Sequence, residues 1–186
     1  MCLLPFLMQL PFQKVNEEVF LATDAIVRFD KRAVEFIKEK ALSSKRGRAR
    51  ICAHKSNDDS LHEMLIAIRS DSYIRPHRHF NKVESFHLVE GKAKIVIFDN
   101  EGNIRDVIDV GDYDSGKKVY YRIDHEYFHT VLVESDFLVF HEVIQGPFKK
   151  ESTVFAPWSP EEIDAEAIKK YMEKLNNNIG RFLSKK

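Results

Sequence analysis

The sequence predicts an all-β barrel or sandwich with a helix at each end, and three observations carry that expectation. Between residues 46 and 158, apolar residues fall in short runs rich in Val, Ile, Phe and Tyr, separated by turn residues. No long helical pattern interrupts those runs to support parallel strand–helix–strand units, so the strands are expected to pair antiparallel. Helical spacing occurs only near the two ends. With 44% hydrophobic and 31% charged residues among 186, the composition is that of one folded domain rather than a disordered chain.

Taken in order, the apolar stretch Met1–Phe12 has no Lys or Arg before it, is interrupted by Pro5 and Pro11, and is too short to span a bilayer. It reads as an arm packing on this subunit or a partner, with Met8 as an alternative start. Asp30 is the expected N-cap of a helix over Lys31–Leu42, in which Ala33, Phe36, Ile37 and Ala41 keep helical spacing. Strands are expected at Arg50–Ala53, Met64–Arg69, Tyr73–His79, Ser85–Val89, Ala93–Phe98, Ile104–Asp109, Lys118–Ile123, His129–Val133 and Phe137–Ile144. Gly91 and Asp99-Asn100-Glu101-Gly102-Asn103 mark hairpin turns. Ser159-Pro160-Glu161-Glu162 supplies a cap, a first-turn proline and first-turn acids for a final helix. Its docking face is Ile163, Ala167, Tyr171, Leu175, Ile179 and Phe182, and Trp158 is expected to pack that junction. The expected organisation is an arm and helix over 1–45, a β-barrel over 46–158 and a C-terminal helix over 159–186, packed as one domain.

Lys+Arg 29 equals Asp+Glu 29, so no global field draws the chain to nucleic acid or anionic lipid, and neither is expected as a partner. Cys2 and Cys52 are too few for a disulfide scaffold and read as reduced thiols of a cytoplasmic protein.

The chemically informative segment is Tyr73-Ile74-Arg75-Pro76-His77-Arg78-His79-Phe80-Asn81-Lys82-Val83-Glu84, followed by Gly91. Side chains alternate along a strand, so His77 and His79 project to one face together with Arg75 and Tyr73. Residues 80–83 let the chain turn so that Glu84 can reach the same ion. His129, opening an apolar strand after Asp124-His125-Glu126, is the best placed third imidazole. Three neutral imidazoles and one carboxylate suit one divalent metal ion: Zn, Fe, Mn, Ni or Co.

His77-x-His79, four residues, Glu84, six residues, Gly91 resembles the first cupin motif, and His129 stands where the second motif's histidine belongs. Tyr73–His79, Phe98–Gly102, Glu142–Phe148 and Phe155–Pro160 together resemble the WbuC-type cupin metalloproteins, which are found with bacterial O-antigen and polysaccharide genes. The resemblance covers about residues 45–162. It implies a cupin double-stranded β-helix, a jelly-roll barrel holding one divalent metal for small-molecule chemistry. The sequence departs from that pattern at Asp71, Val133, Ile144 and the turn before His129.

Four further residues are candidate substrate contacts. Arg75 could clamp a carboxylate or phosphate, or pair internally with Glu142. Tyr73 could donate a proton or fill the barrel, and His54 could line the barrel mouth or sit on the surface. His87 and His141 fall on the opposite strand face and read as structural. No catalytic residue is assigned. The expected function is metal-dependent Lewis-acid chemistry, of the isomerase or epimerase kind, on a small polar substrate such as a sugar or sugar nucleotide. The alternative is a non-catalytic saccharide-binding or sensing module. A homodimer is expected, since the apolar arm and sheet edges offer surface that a monomer would leave wet.

Overall fold

A computed structural model describes residues 10–185. In chain order the strands and helices are β1 (Phe12–Lys14), β2 (Val19–Ala22), α1 (Lys31–Ser43), β3 (Arg48–Cys52), β4 (Leu61–Arg69), β5 (His77–His79), β6 (Glu84–Glu90), β7 (Lys92–Phe98), β8 (Ile104–Gly111), β9 (Tyr120–Ile123), β10 (Phe128–Val133), β11 (Phe137–Gln145), β12 (Thr153–Phe155) and α2 (Ala165–Leu183). Most of the expected arm, with Cys2 and Met8, lies outside the described residues.

Two sheets form, one with the order β1-β2-β3-β4-β11-β6-β9 and the other β12-β5-β10-β7-β8. Cys52, Met64, Ile66, Phe86, Ile95, Val131, Leu138 and Phe140 fill the space between them, as alternating apolar strands require. This is the all-β jelly-roll barrel of the cupin fold. On the outer face of the larger sheet, α1 buries Ala33, Ile37 and Ala41 against Ile51, Leu65, Ala67 and Val139. On the outer face of the smaller sheet, α2 buries Leu175 and Ile179 against Val96, Phe98 and Phe128. Trp158 packs the C-terminal junction between Phe98, Phe128 and Tyr171.

The central strands fall where alternation puts them, and the differences have local causes. Strand pairing begins at His77 rather than Tyr73, because Pro76 has no N–H to give to a ladder. Residues 73–76 are tied down by other bonds instead: the Ile74 carbonyl accepts from Thr130 Oγ1 and the Pro76 carbonyl from Ala156 N. Strands β1, β2 and β12 are additions to the expected set; each has only three or four residues, too short for period-2 alternation to register. The pairing of β2 with β3 is parallel, against the antiparallel expectation, because α1 connects these two strands and supplies the crossover.

Asp30 caps α1 as expected, its Oδ1 accepting from Arg32 N and Ala33 N. Ser159 does not cap α2. Its hydroxyl donates to the Ala156 carbonyl and it is buried, so the helix starts later, on an Asp164 side chain that accepts from Ala167 N. Ile163 therefore stays outside the helix and is 89% exposed, while Tyr171, Leu175, Ile179 and Phe182 form the docking face.

Candidate metal centre

Strand register brings the four expected ligands together. His129 on β10 pairs directly with His77 on β5, in the smaller sheet. His79 follows on β5 with its side chain to the same face, and Glu84 opens β6 in the facing sheet. Across the barrel the ligand atoms of His77, His79, Glu84 and His129 all lie within 4.8 Å of one another. Glu84 and His129 are buried to 3% and 2% exposure.

Each imidazole is held from behind. Nδ1 of His77 lies 2.9 Å from the Arg75 carbonyl, Nδ1 of His129 lies 3.1 Å from the Tyr127 carbonyl, and Nδ1 of His79 lies 3.1 Å from Thr153 Oγ1. The two carbonyls can only accept, which places the proton of His77 and His129 on Nδ1 and leaves a lone pair on Nε2. For His79 and His129 the Nε2 atoms face Glu84, at 3.1 Å from Oε2 and 3.4 Å from Oε1. Tyr121 donates to Glu84 Oε1 at 3.2 Å. Imidazoles oriented by such outer bonds, around one carboxylate, are the donor set a divalent transition metal takes. The residues present fit the metal that the cupin fold implies.

The electrostatics follow from burial. Desolvation, with His129 and His79 beside it, pushes His77 down to about 3, so this ring is neutral at physiological pH. Burial would raise Glu84, but the His129 and His79 rings hold it well below the ordinary carboxylate value. His129 moves the other way: burial lowers it, and the Glu84 charge outweighs burial and raises it. Tyr121 is held well above 10 by burial and by Glu84, so it stays a hydroxyl donor.

The remaining candidates are spread out. Glu142 on β11 is half-buried on the inner face, level with Met64 and Phe86, and burial and the Glu84 charge push its carboxyl up to about 8. Arg75 forms no ion pair or hydrogen bond with Glu142 among the described residues. Its Nε donates to Ser159 Oγ at 3.2 Å and its guanidinium lies over the Phe155 ring. Tyr73 donates to the Pro160 carbonyl at 3.2 Å, and burial raises its hydroxyl to about 12. Both side chains thus bond to the segment that leads to α2. His54 is not a member of the group of four and stacks on His62 at a 4.1 Å ring separation, with burial lowering its pKa. His87 is exposed and pairs across the strands with His141, on the outer face as expected. Ile144 sits in register with Glu84 and packs against the inter-sheet core.

Thr153 and Tyr121 escaped sequence reasoning as parts of the site. Tyr121 could have been found, since it shares the inner face of an expected strand. Thr153 lies in a three-residue strand with no readable period.

Residues 29–110 match a family model described as a domain of unknown function, DUF6016, a span that includes His77, His79 and Glu84 but ends before His129. No match is found among curated protein sequences. Among solved structures, protein SO0799 from Shewanella oneidensis is 13% identical, with 66% of this chain and 83% of that chain covered at a TM-score of 0.52. That likeness is one of fold. Oxalate decarboxylase from Bacillus subtilis is 20% identical over 52% of this chain and 24% of its own, at a TM-score of 0.43. CapF is 16% identical over 57% and 33%, at 0.44. The chain is a cupin-fold protein whose barrel brings together three histidines and a glutamate able to hold a metal ion.

Proposed function

We propose that the protein is a metal-dependent enzyme acting on a small polar substrate, a sugar or sugar nucleotide, by isomerisation, epimerisation or related Lewis-acid chemistry. The observation that supports this reading is the buried group of His77, His79, Glu84 and His129, with His77 and His129 fixed by carbonyls in the tautomer that frees Nε2. A bound divalent ion, one per chain and drawn from Zn, Fe, Mn, Ni or Co, would polarise a carbonyl or hydroxyl oxygen or acidify water. The chain's own residues orient that chemistry. Glu84 supplies the single anionic donor, and Tyr121 keeps its carboxylate in place. Glu142 offers a carboxyl on the inner face that can give up or accept a proton.

The WbuC-type resemblance links this activity to bacterial polysaccharide or O-antigen biosynthesis in the cytoplasm. We further propose a single domain, with the arm and helix of 1–45 and the helix of 159–186 packed on the 46–158 barrel, and a homodimer. Among the described residues no helix is long and apolar enough to cross a membrane.

The second reading, a non-catalytic saccharide-binding or sensing module, is favoured by one observation. The Tyr73 hydroxyl donates to the Pro160 carbonyl and Arg75 Nε to Ser159 Oγ, so these two donors already have partners within the chain. Thermal-shift screening of sugar acids, nucleotide sugars and small carboxylates against zinc-loaded and chelator-stripped protein separates the readings. A metal-dependent hit that exchanges carbon-bound hydrogen for deuterium, or is converted, by NMR in D2O supports the enzyme. A hit that binds and stays unchanged supports the module, and no metal-dependent hit contradicts both.

A further inference from the structure

On β3 the arginines at positions 48 and 50 alternate with Ala49 and Ile51, which are buried beneath α1. The opposite side of the strand, where Cys52 joins the inter-sheet core, is therefore the side of Arg50. The neighbouring arginines are matched by carboxylates: Arg46 pairs with Glu18 and Glu162, and Arg48 Nη2 lies 2.6 Å from Glu162 Oε1. Arg50 is half-buried, and the side-chain bond it makes among the described residues is from Nη1 to Met64 Sδ at 3.9 Å. A thioether is a weak acceptor and a guanidinium carries five N–H donors, so most of the donors of Arg50 face no protein acceptor.

Met64 is in register with Glu142 on the next strand. The Glu142 carboxyl makes no hydrogen bond among the described residues, and the charges of Glu84, Arg50 and His129 act on it. Met64 thus joins the two groups: it is in register with Glu142, and its Sδ is the atom that Arg50 Nη1 approaches, while Glu142 lies on β11 two residues before Ile144, which is in register with Glu84. Three neutral imidazoles and the Glu84 carboxylate would leave a divalent ion with a net charge of about +1. Arg50 adds another positive charge. Even with Glu142 ionised, this interior face stays positive.

We propose that Arg50 is the anion anchor of the ligand site, and that the ligand is a small molecule carrying a carboxylate or phosphate that reaches from the metal group past Glu142 to the Arg50 guanidinium. The inference rests on the metal-centre reading and narrows its substrate to the anionic members of the class, a sugar acid or a sugar phosphate. Bidentate acceptance of two parallel N–H bonds by a carboxylate or phosphate matches the planar fork of arginine. Glu142 beside it would bond a hydroxyl of the same ligand.

The test is calorimetric titration of malonate and of inorganic phosphate into zinc-loaded wild-type protein and its Arg50→Gln, Arg50→Lys and Arg75→Lys variants, with zinc content and thermal midpoint measured on each. At least one probe should bind the wild type at millimolar strength. Arg50→Gln should weaken it tenfold or more, Arg50→Lys less, and Arg75→Lys less than twofold, with zinc content unchanged throughout. If Arg50→Gln does not fold, the Arg50→Lys comparison decides. Binding that is equal in the Arg50 variants and the wild type overturns the inference, and so does the absence of binding to a fully zinc-loaded wild type. Should the wild type hold no zinc, the metal reading fails, and the same titration of metal-free protein decides on Arg50 by the same comparison.

Discussion

Thr153 stands 74 positions after His79 and still governs it, because β12 pairs with β5 and sets Thr153 opposite His79. Removing that hydroxyl frees the ring to rotate and to change tautomer. Thr153→Val should weaken zinc affinity about 10–100-fold, the usual cost of losing an outer partner, measured against a competing chelator. Affinity equal to wild type would show that Thr153 does not orient the ring. Glu142 gives a pH prediction. In the metal-free fold burial and Glu84 push its carboxyl up to about 8, against an ordinary value of 4.5, while Arg50 and His129 pull it down. Between those values the folded state holds a proton that the unfolded state has lost, so stability falls as pH rises through that window. Thermal midpoints of metal-free wild type should therefore drop relative to Glu142→Gln from about pH 5 to about pH 8, and parallel curves would contradict the assignment. His77, His79 and Glu84 were legible in the sequence because strand alternation and a short turn bring them together locally. Thr153 and Arg50 were not, since each joins the site through pairing of distant strands.

At the scale of single elements, the hairpin between β6 and β7 turns on Gly91. Its φ is +89°, and a Cβ there would stand 2.1 Å from the Phe137 carbonyl oxygen. Gly91→Ala combines that clash with a backbone conformation L-residues avoid, and should cost about 2–4 kcal/mol in denaturant unfolding. A change below 0.5 kcal/mol, by contrast, would mean the hairpin relaxes freely. The docking of α2 is a second case. Leu175 is 4% exposed, and Leu175→Ala should cost about 2–5 kcal/mol through lost burial and the cavity left behind. A negligible loss would detach α2 from the cooperative unit. The apolar stripe of this helix was legible from periodicity, but its start was not. Ser159 has the chemistry of a cap, and only the fold shows that its hydroxyl is already committed to Ala156 and bonded by Arg75.

For the whole molecule, the jelly roll follows from alternating strands without intervening helices, and that much is legible in the sequence alone. The parallel β2–β3 pair was not, because β2 is four residues long and its role depends on α1 crossing to β3. The proposed homodimer belongs to this scale. Sedimentation of the full chain and of a chain starting at Gln13 should give a dimer for the first and a weakened dimer for the second. A monomer in both would remove the assembly.

The central claim is that His77, His79, Glu84 and His129 hold one metal ion. Elemental analysis of protein purified without added metal, wild type beside a His77→Ala/His79→Ala double variant, tests it most directly. The account predicts about one equivalent of a divalent transition metal per chain in the wild type and its loss in the variant, with the fold retained by circular dichroism. Undiminished stoichiometric metal in the double variant would contradict it.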